Sequence, residues 1–189
     1  PEVNRKKIGL AGHSEGGLIA PIVASRNSNI AFIVSLAGPG VKGQDIMLKQ
    51  AADVLKANGS SEEEIQETVT NNSYLFRMVT EEPDQRKFVK DAMAWYGKEL
   101  ESKGVSPEES KEKMAAFTQG LISVNNPWMR YFIVTDPAQF WSKVKCPVLA
   151  LNGEKDLQVN HEMNLPAIRN ALHSGGNRKV KTIMLPGLN

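Results

Sequence analysis

The stretch KIGLAGHSEGGLIAPIVAS, residues 7–25, decides how this chain reads. A short apolar run containing Ile8 and Leu10 leads into Gly12-His13-Ser14-Glu15-Gly16, and a helical segment over 16–26 follows. The pattern is G-x-S-x-G between a strand and a helix. That context puts the serine on a sharp, strained turn with its hydroxyl thrust out. Side chains two residues before and two after Ser14 are expected to collide with strand and helix, which explains glycine at both places; Gly17 extends the permissive stretch. The helix start behind the serine offers free N–H groups and the positive end of a dipole. The Glu15 N–H is then placed to stabilise an oxyanion. The same letters also fit a bystander serine in a glycine-rich turn, and the rest of the chain decides between the two.

Outward from the turn, two kinds of segment alternate. Residues 7–11, 30–36 ("IAFIVSL"), 147–152 ("PVLALN") and 180–185 ("VKTIML") read as strands. The second and third are nearly continuous apolar runs, as expected for strands of a parallel sheet buried on both faces. A second helix is expected over 160–172, stopped by Gly175-Gly176. Strand–helix–strand alternation points to an α/β sheet. About a hundred residues between the second and third strands are charged and strand-poor. Ser61 with Glu64 is a capping-box pair, and Ser106 precedes Pro107 and Glu109 in the same manner. Segments 45–57 and 84–103 end at Asn58-Gly59 and Gly104. Four or five helices inserted into an α/β domain are expected, and an insertion of that length on the loop side of a sheet is usually a lid over a site.

The chain has 189 residues, 23 Lys and Arg, 21 Asp and Glu, and a net charge of +2, which gives no electrostatic case for nucleic acid or an anionic membrane. No apolar run approaches the roughly 20 residues needed to span a bilayer. Cys146 is the one cysteine, so no internal disulfide forms. No Cys/His cluster has zinc-site spacing, and no metal or cofactor is expected. The chain opens at Pro1 and ends in LPGLN, so a piece of a longer protein is expected.

Three blocks, GLAGHSEGGLIAPIVAS, CPVLALNGEKDLQV and IMLPGLN, resemble the α/β-hydrolase superfamily, closest to bacterial carboxylesterases and related serine peptidases with a helical cap. The resemblance covers about half the chain and is weak across the insertion, except near NPWMRYFIVTDPAQFWSKV. It implies a partial α/β-hydrolase parallel sheet of about four strands with a large all-helical cap insertion. The expected parts are 1–40 and 141–189 for the hydrolase core and 41–140 for the cap.

A serine nucleophile needs a base, and the base an orienting carboxylate. Asp156 lies four residues past a strand, on the rim expected for Ser14, and matches the family's acid in the order Ser, Asp, His. Glu154 is the rival acid, only two residues past the strand. Asp136, before Pro137, reads as a turn or helix cap. The family's histidine follows the last strand, and here its place would be the residue after Asn189. His13 neighbours Ser14 at a turn where adjacent side chains point apart. His173 is expected at the far end of the sheet, a strand length of roughly 17–20 Å away. His161 sits on the correct rim and is the one conceivable substitute. Relatives also carry strands before the elbow strand that supply a second oxyanion donor. The 189 residues are therefore expected to be catalytically crippled on their own, and the bare edge of strand 7–11 is expected to invite self-association.

Most aromatics of the insertion are expected to be packing core. Trp128, Tyr131 and Phe132, just before the return to the sheet, are candidates for an acyl pocket. The methionines, among them Met47, Met78, Met93, Met114 and Met129, suit an adaptable apolar groove or plain filler. No charged cluster points to a phosphate or peptide terminus, so a small carboxylic ester is the expected substrate. A peptidase or amidase on the same scaffold, or a non-catalytic binding protein, stays open.

Overall fold

Short β-branched runs that alternate with amphipathic helices pair as parallel strands because each crossover returns the chain to the same end of the sheet. The computed structural model describes residues 3–189, so the first two residues of the expected 1–40 segment lie outside the described residues. Four strands, β1 (Leu10–His13), β2 (Ile33–Leu36), β3 (Val148–Gly153) and β4 (Val180–Leu185), form one parallel sheet in chain order. The register pairs Gly12 with Ser35, Ser35 with Ala150, and Ala150 with Thr182. β1 begins three residues later than expected. Asn4 accepts a hydrogen bond from the Lys6 N–H and winds Arg5–Lys7 into a 3-10 turn.

Helix α1 (Glu15–Ala24) joins β1 to β2, and α8 (His161–Ser174) joins β3 to β4. The short α7 (Ala138–Trp141) packs between them. Right-handed connections between neighbouring strands put all three on one face of the sheet. The main core lies there: Ala20, Ile33, Val148, Ala150, Leu165, Ile168 and Leu172 enclose Trp141, which is fully buried. The opposite face is less covered than the apolar runs suggested. Val34, Leu149 and Leu151 are half-buried, and Leu36 is exposed. Burial on both faces thus holds for neither inner strand among the described residues, because the helices that touch the strands, α1 and α8, come from one side.

Between β2 and α7 stand five helices: α2 (Gly43–Ala57), α3 (Glu62–Glu81), α4 (Gln85–Ser102), α5 (Pro107–Val124) and α6 (Pro127–Val134). Local chemistry starts α3 to α6. Ser61 and Glu64 form the reciprocal capping box, Asp84 accepts from the Arg86 and Lys87 N–H groups, Ser106 from Glu109, and Asn126 from Met129. Their apolar faces meet around Leu75, Phe76, Val79, Phe88, Ala92, Leu121 and Ile133. Tyr74 stacks on Trp95 at 4.5 Å, and Tyr96 on Phe117 at 4.1 Å. None of the described helices is long and apolar enough to cross a membrane.

The two ends of this insertion meet. The Gly43 N–H donates to the Thr135 carbonyl at 3.3 Å. The chain leading in is fastened to the sheet layer: buried Asn164 accepts from the Gly40 N–H at 2.7 Å, and the Trp141 indole donates to the Pro39 carbonyl at 3.0 Å. These bonds fix where the insertion stands over the ends of the strands.

Candidate active site

Ser14 is the N-cap of α1, with φ 52° and ψ −113°. A serine there normally turns its hydroxyl back onto its own helix. Ser14 makes no such bond. Its backbone is held from both sides: its N–H donates to the Leu36 carbonyl at 2.9 Å, and its carbonyl accepts from Gly17 at 2.9 Å. A non-glycine residue at positive φ costs about 1–3 kcal/mol and persists only where its surroundings impose it. Ala37, at the end of β2, is the other such residue among those described, with φ 47°.

The glycines divide differently from the expectation. A Cβ on Gly12 would run into the backbone carbonyl of Gly16, so the position two before Ser14 is closed. A Cβ on Gly16 would meet nothing, so crowding does not explain the glycine two after. The closed position is Gly17, whose Cβ would come 2.5 Å from the Cα of Gly38. Close approach of α1 to the β2 loop requires Gly17, a residue the motif does not name.

Ser14 and Glu15 face a cavity of about 260 Å³ between α1, α2, α6 and the loop after β3. Glu15 opens α1, so its N–H has no partner within the helix. Trp128 and Phe132 line this cavity and Tyr131 does not; Tyr131 stands on an exposed face of α6. Met47 and Met129 also line it, whereas Met78 and Met93 pack into the core of the insertion. Ile46, Gln50, Gln158 and Val159 are lining residues that the sequence reading missed. Gln158 and Val159 follow Asp156 on the same loop, which is the signal that places them on this rim.

Asp156 lines an adjoining cavity of about 580 Å³ with His13, Asn152 and Asn189, and Gln158 borders both spaces. One carboxylate oxygen of Asp156 accepts from the Gln158 and Val159 N–H groups at 2.8 and 2.9 Å. The other is 3.3 Å from the Asn152 amide nitrogen. The rival Glu154 is committed to the Gly187 N–H at 2.7 Å and lines neither cavity. Asp136 accepts from the Ala138 N–H at 2.9 Å, the helix-start role read from the sequence.

His13 is exposed on β1, His161 opens α8, and His173 lies in the last turn of α8. None of them lines the Ser14 cavity.

Residues 1–106, more than half of the chain, match the model of the family described as BAAT / acyl-CoA thioester hydrolase C terminal. The chain belongs to that family. The four-stranded parallel sheet with its flanking helices is accordingly part of an α/β-hydrolase fold. The match to the family spans the Ser14 turn and α2–α4, and stops before Asp156. No curated protein matches the chain. Among solved structures, an acylaminoacyl peptidase of Pyrococcus horikoshii is similar over 97% of this chain and 20% of its own, at 12% identity and a TM-score of 0.44. An esterase of Pyrococcus furiosus is similar over 96% of this chain and 46% of its own, at 17% identity and a TM-score of 0.44. A proline iminopeptidase-related protein of Thermus thermophilus is similar over 96% and 56%, at 17% identity and a TM-score of 0.47. The chain thus spans between a fifth and just over half of these structures.

Proposed function

We propose that this member of the hydrolase family cleaves acyl esters through a covalent acyl-enzyme. Ser14 attacks the carbonyl carbon, and its hydroxyl proton passes to a histidine that Asp156 orients. The Glu15 N–H supplies one oxyanion donor. The base is placed in a histidine outside these 189 residues, because none of the three within them lines the serine's cavity. The insertion α2–α6 acts as the cap. One observation carries the reading. Ser14 is held at positive φ with a hydroxyl that caps nothing and faces a cavity. A structural N-cap serine has no reason to accept that strain.

The cavity wall sets the acyl group. Ile46, Met47, Trp128, Met129, Phe132 and Val159 make an apolar space of about 260 Å³, enough for a short chain. The name of the family favours a thiol leaving group beside the alcohol of a simple ester.

The test measures hydrolysis of short-chain p-nitrophenyl esters and acyl thioesters by the 189-residue chain and by the full product of its gene. Both are also made as S14A and D156N. In the full product S14A is expected to abolish turnover, and D156N to lower kcat by roughly 10³- to 10⁴-fold. Turnover surviving S14A would end the nucleophile reading. Equal activity of the shorter and longer chains would end the external-base reading.

A further inference from the structure

At the end of the sheet away from Ser14, the loops before β2, β3 and β4 border an open concavity of about 520 Å³, and the cations along it are exposed. Its charged lining residues are Arg26, Lys143, Lys145 and Lys179, and no carboxylate lines it. We infer that this cavity is a binding site for a small phosphate-bearing anion, separate from the catalytic rim.

The charge layout of the whole chain supports this. The parts of the chain that build the sheet layer, residues 1–44 and 137–189, hold twelve Lys and Arg against five Asp and Glu. Residues 45–136 hold sixteen acidic residues against eleven basic ones. A net charge of +2 therefore conceals a positive sheet layer and a negative insertion. The potential of the positive layer is concentrated where a concave, low-dielectric wall gathers its cations.

Helix geometry accounts for part of the cluster only. Helices α1 and α8 both end at this side, and cations are favoured near the carbonyl ends of helices. Lys145 fills that role, donating to the Gly175 carbonyl at 2.6 Å. Arg26, Lys143 and Lys179 have no side-chain hydrogen bond and no ion pair among the described residues. The chain forms its ion pairs on the insertion instead, at Lys49, Lys87, Lys103 and Lys113. Three unpaired cations around one concavity match a group with several anionic oxygens and several acceptor directions, which is phosphate chemistry.

The cavity carries its own reporter. Cys146, the chain's single cysteine, is part of the wall and half-buried. Burial pushes its thiol above the ordinary range, so it stays neutral and adds no negative charge to the site.

The experiment uses the 189-residue chain and needs no catalytic activity. Inorganic pyrophosphate, inorganic phosphate and sulfate are titrated by calorimetry at about 0.15 M salt, and the rate of Cys146 alkylation is followed in parallel. Saturable one-site binding is expected, with pyrophosphate tightest, and alkylation should slow as the site fills. The K143Q/K179Q variant leaves the Lys145 contact intact. It is expected to bind at least about tenfold more weakly, as the loss of two charge-assisted contacts requires, and to show no protection of Cys146. Equal binding by wild type and variant would overturn the proposal, and so would binding no stronger than that of chloride. A short single-stranded oligonucleotide binding more tightly than pyrophosphate would overturn the assignment to a small ligand.

Discussion

Three helices in this molecule begin on a serine, and the two regions use that serine in opposite ways. In the insertion, Ser61 and Ser106 turn their hydroxyls onto the third N–H of their own helices. In the sheet layer, Ser14 holds the same position with its backbone at positive φ and its hydroxyl free. The contrast extends through both regions. The insertion is organised by caps, by i,i+4 ion pairs such as Lys113–Glu109, and by helical stripes of apolar residues. The sheet layer depends on contacts between residues far apart in the chain: Trp141 on Pro39, Asn164 on Gly40, Gly17 against Gly38. Sites of chemistry arise in the second kind of region, where the fold as a whole can hold one residue away from its local preference.

Three substitutions probe that contrast, from the largest effect to the smallest. Trp141→Ala removes a fully buried ring from the sheet-layer core and its bond to Pro39. It is expected to cost about 3–5 kcal/mol in guanidinium unfolding. A loss below about 1 kcal/mol would mean the two regions do not depend on that contact. Next come two neighbouring glycines. Gly17→Ala is expected to destabilise by about 1–3 kcal/mol because its methyl group meets the Gly38 backbone. Gly16→Ala, open to space and within α1, should be neutral or stabilising by up to about 1 kcal/mol. Thermal melts of both variants check the order, and the reverse order would restore the crowding first expected at Gly16.

The smallest effect belongs to the insertion. Lys103 donates to Glu67 at 2.6 Å and holds its carboxyl below the usual range. A depressed folded-state value means the contribution is present above the ordinary glutamate range and is lost as pH falls through the lowered value. Because both groups are largely exposed, E67Q is expected to change stability by less than about 1 kcal/mol at pH 7, and the difference should vanish in 1 M salt. A salt-insensitive loss larger than that would show that the surface of the insertion holds more than local pairs.

The same contrast decides what the letters revealed. Helix starts at Ser61 and Ser106 were legible because each is written within four residues. The Ser14 turn was legible because strand, glycines and helix are contiguous. The later start of β1 was not, since a side-chain bond from Asn4 competes with extension there. Coverage of the sheet on one side also escaped, because an apolar run reports burial without saying which layer supplies it. The cavity wall was half visible. Trp128 and Phe132 followed from their place before the return to the sheet, while Tyr131, about 100° round the helix from its neighbour Phe132, stands on the exposed face.

The hydrogen bond between Gly43 and Thr135 has an engineering reading. The ninety-odd residues it encloses leave and rejoin the chassis at one point, so the sheet's register does not depend on their length or number of helices. A short turn bridging residues 42 and 136 would close the socket, and a different helical module could be grafted into it. Modules exchanged there would change what covers the strand ends, while the strained serine, set by β1, β2 and α1, would keep its geometry.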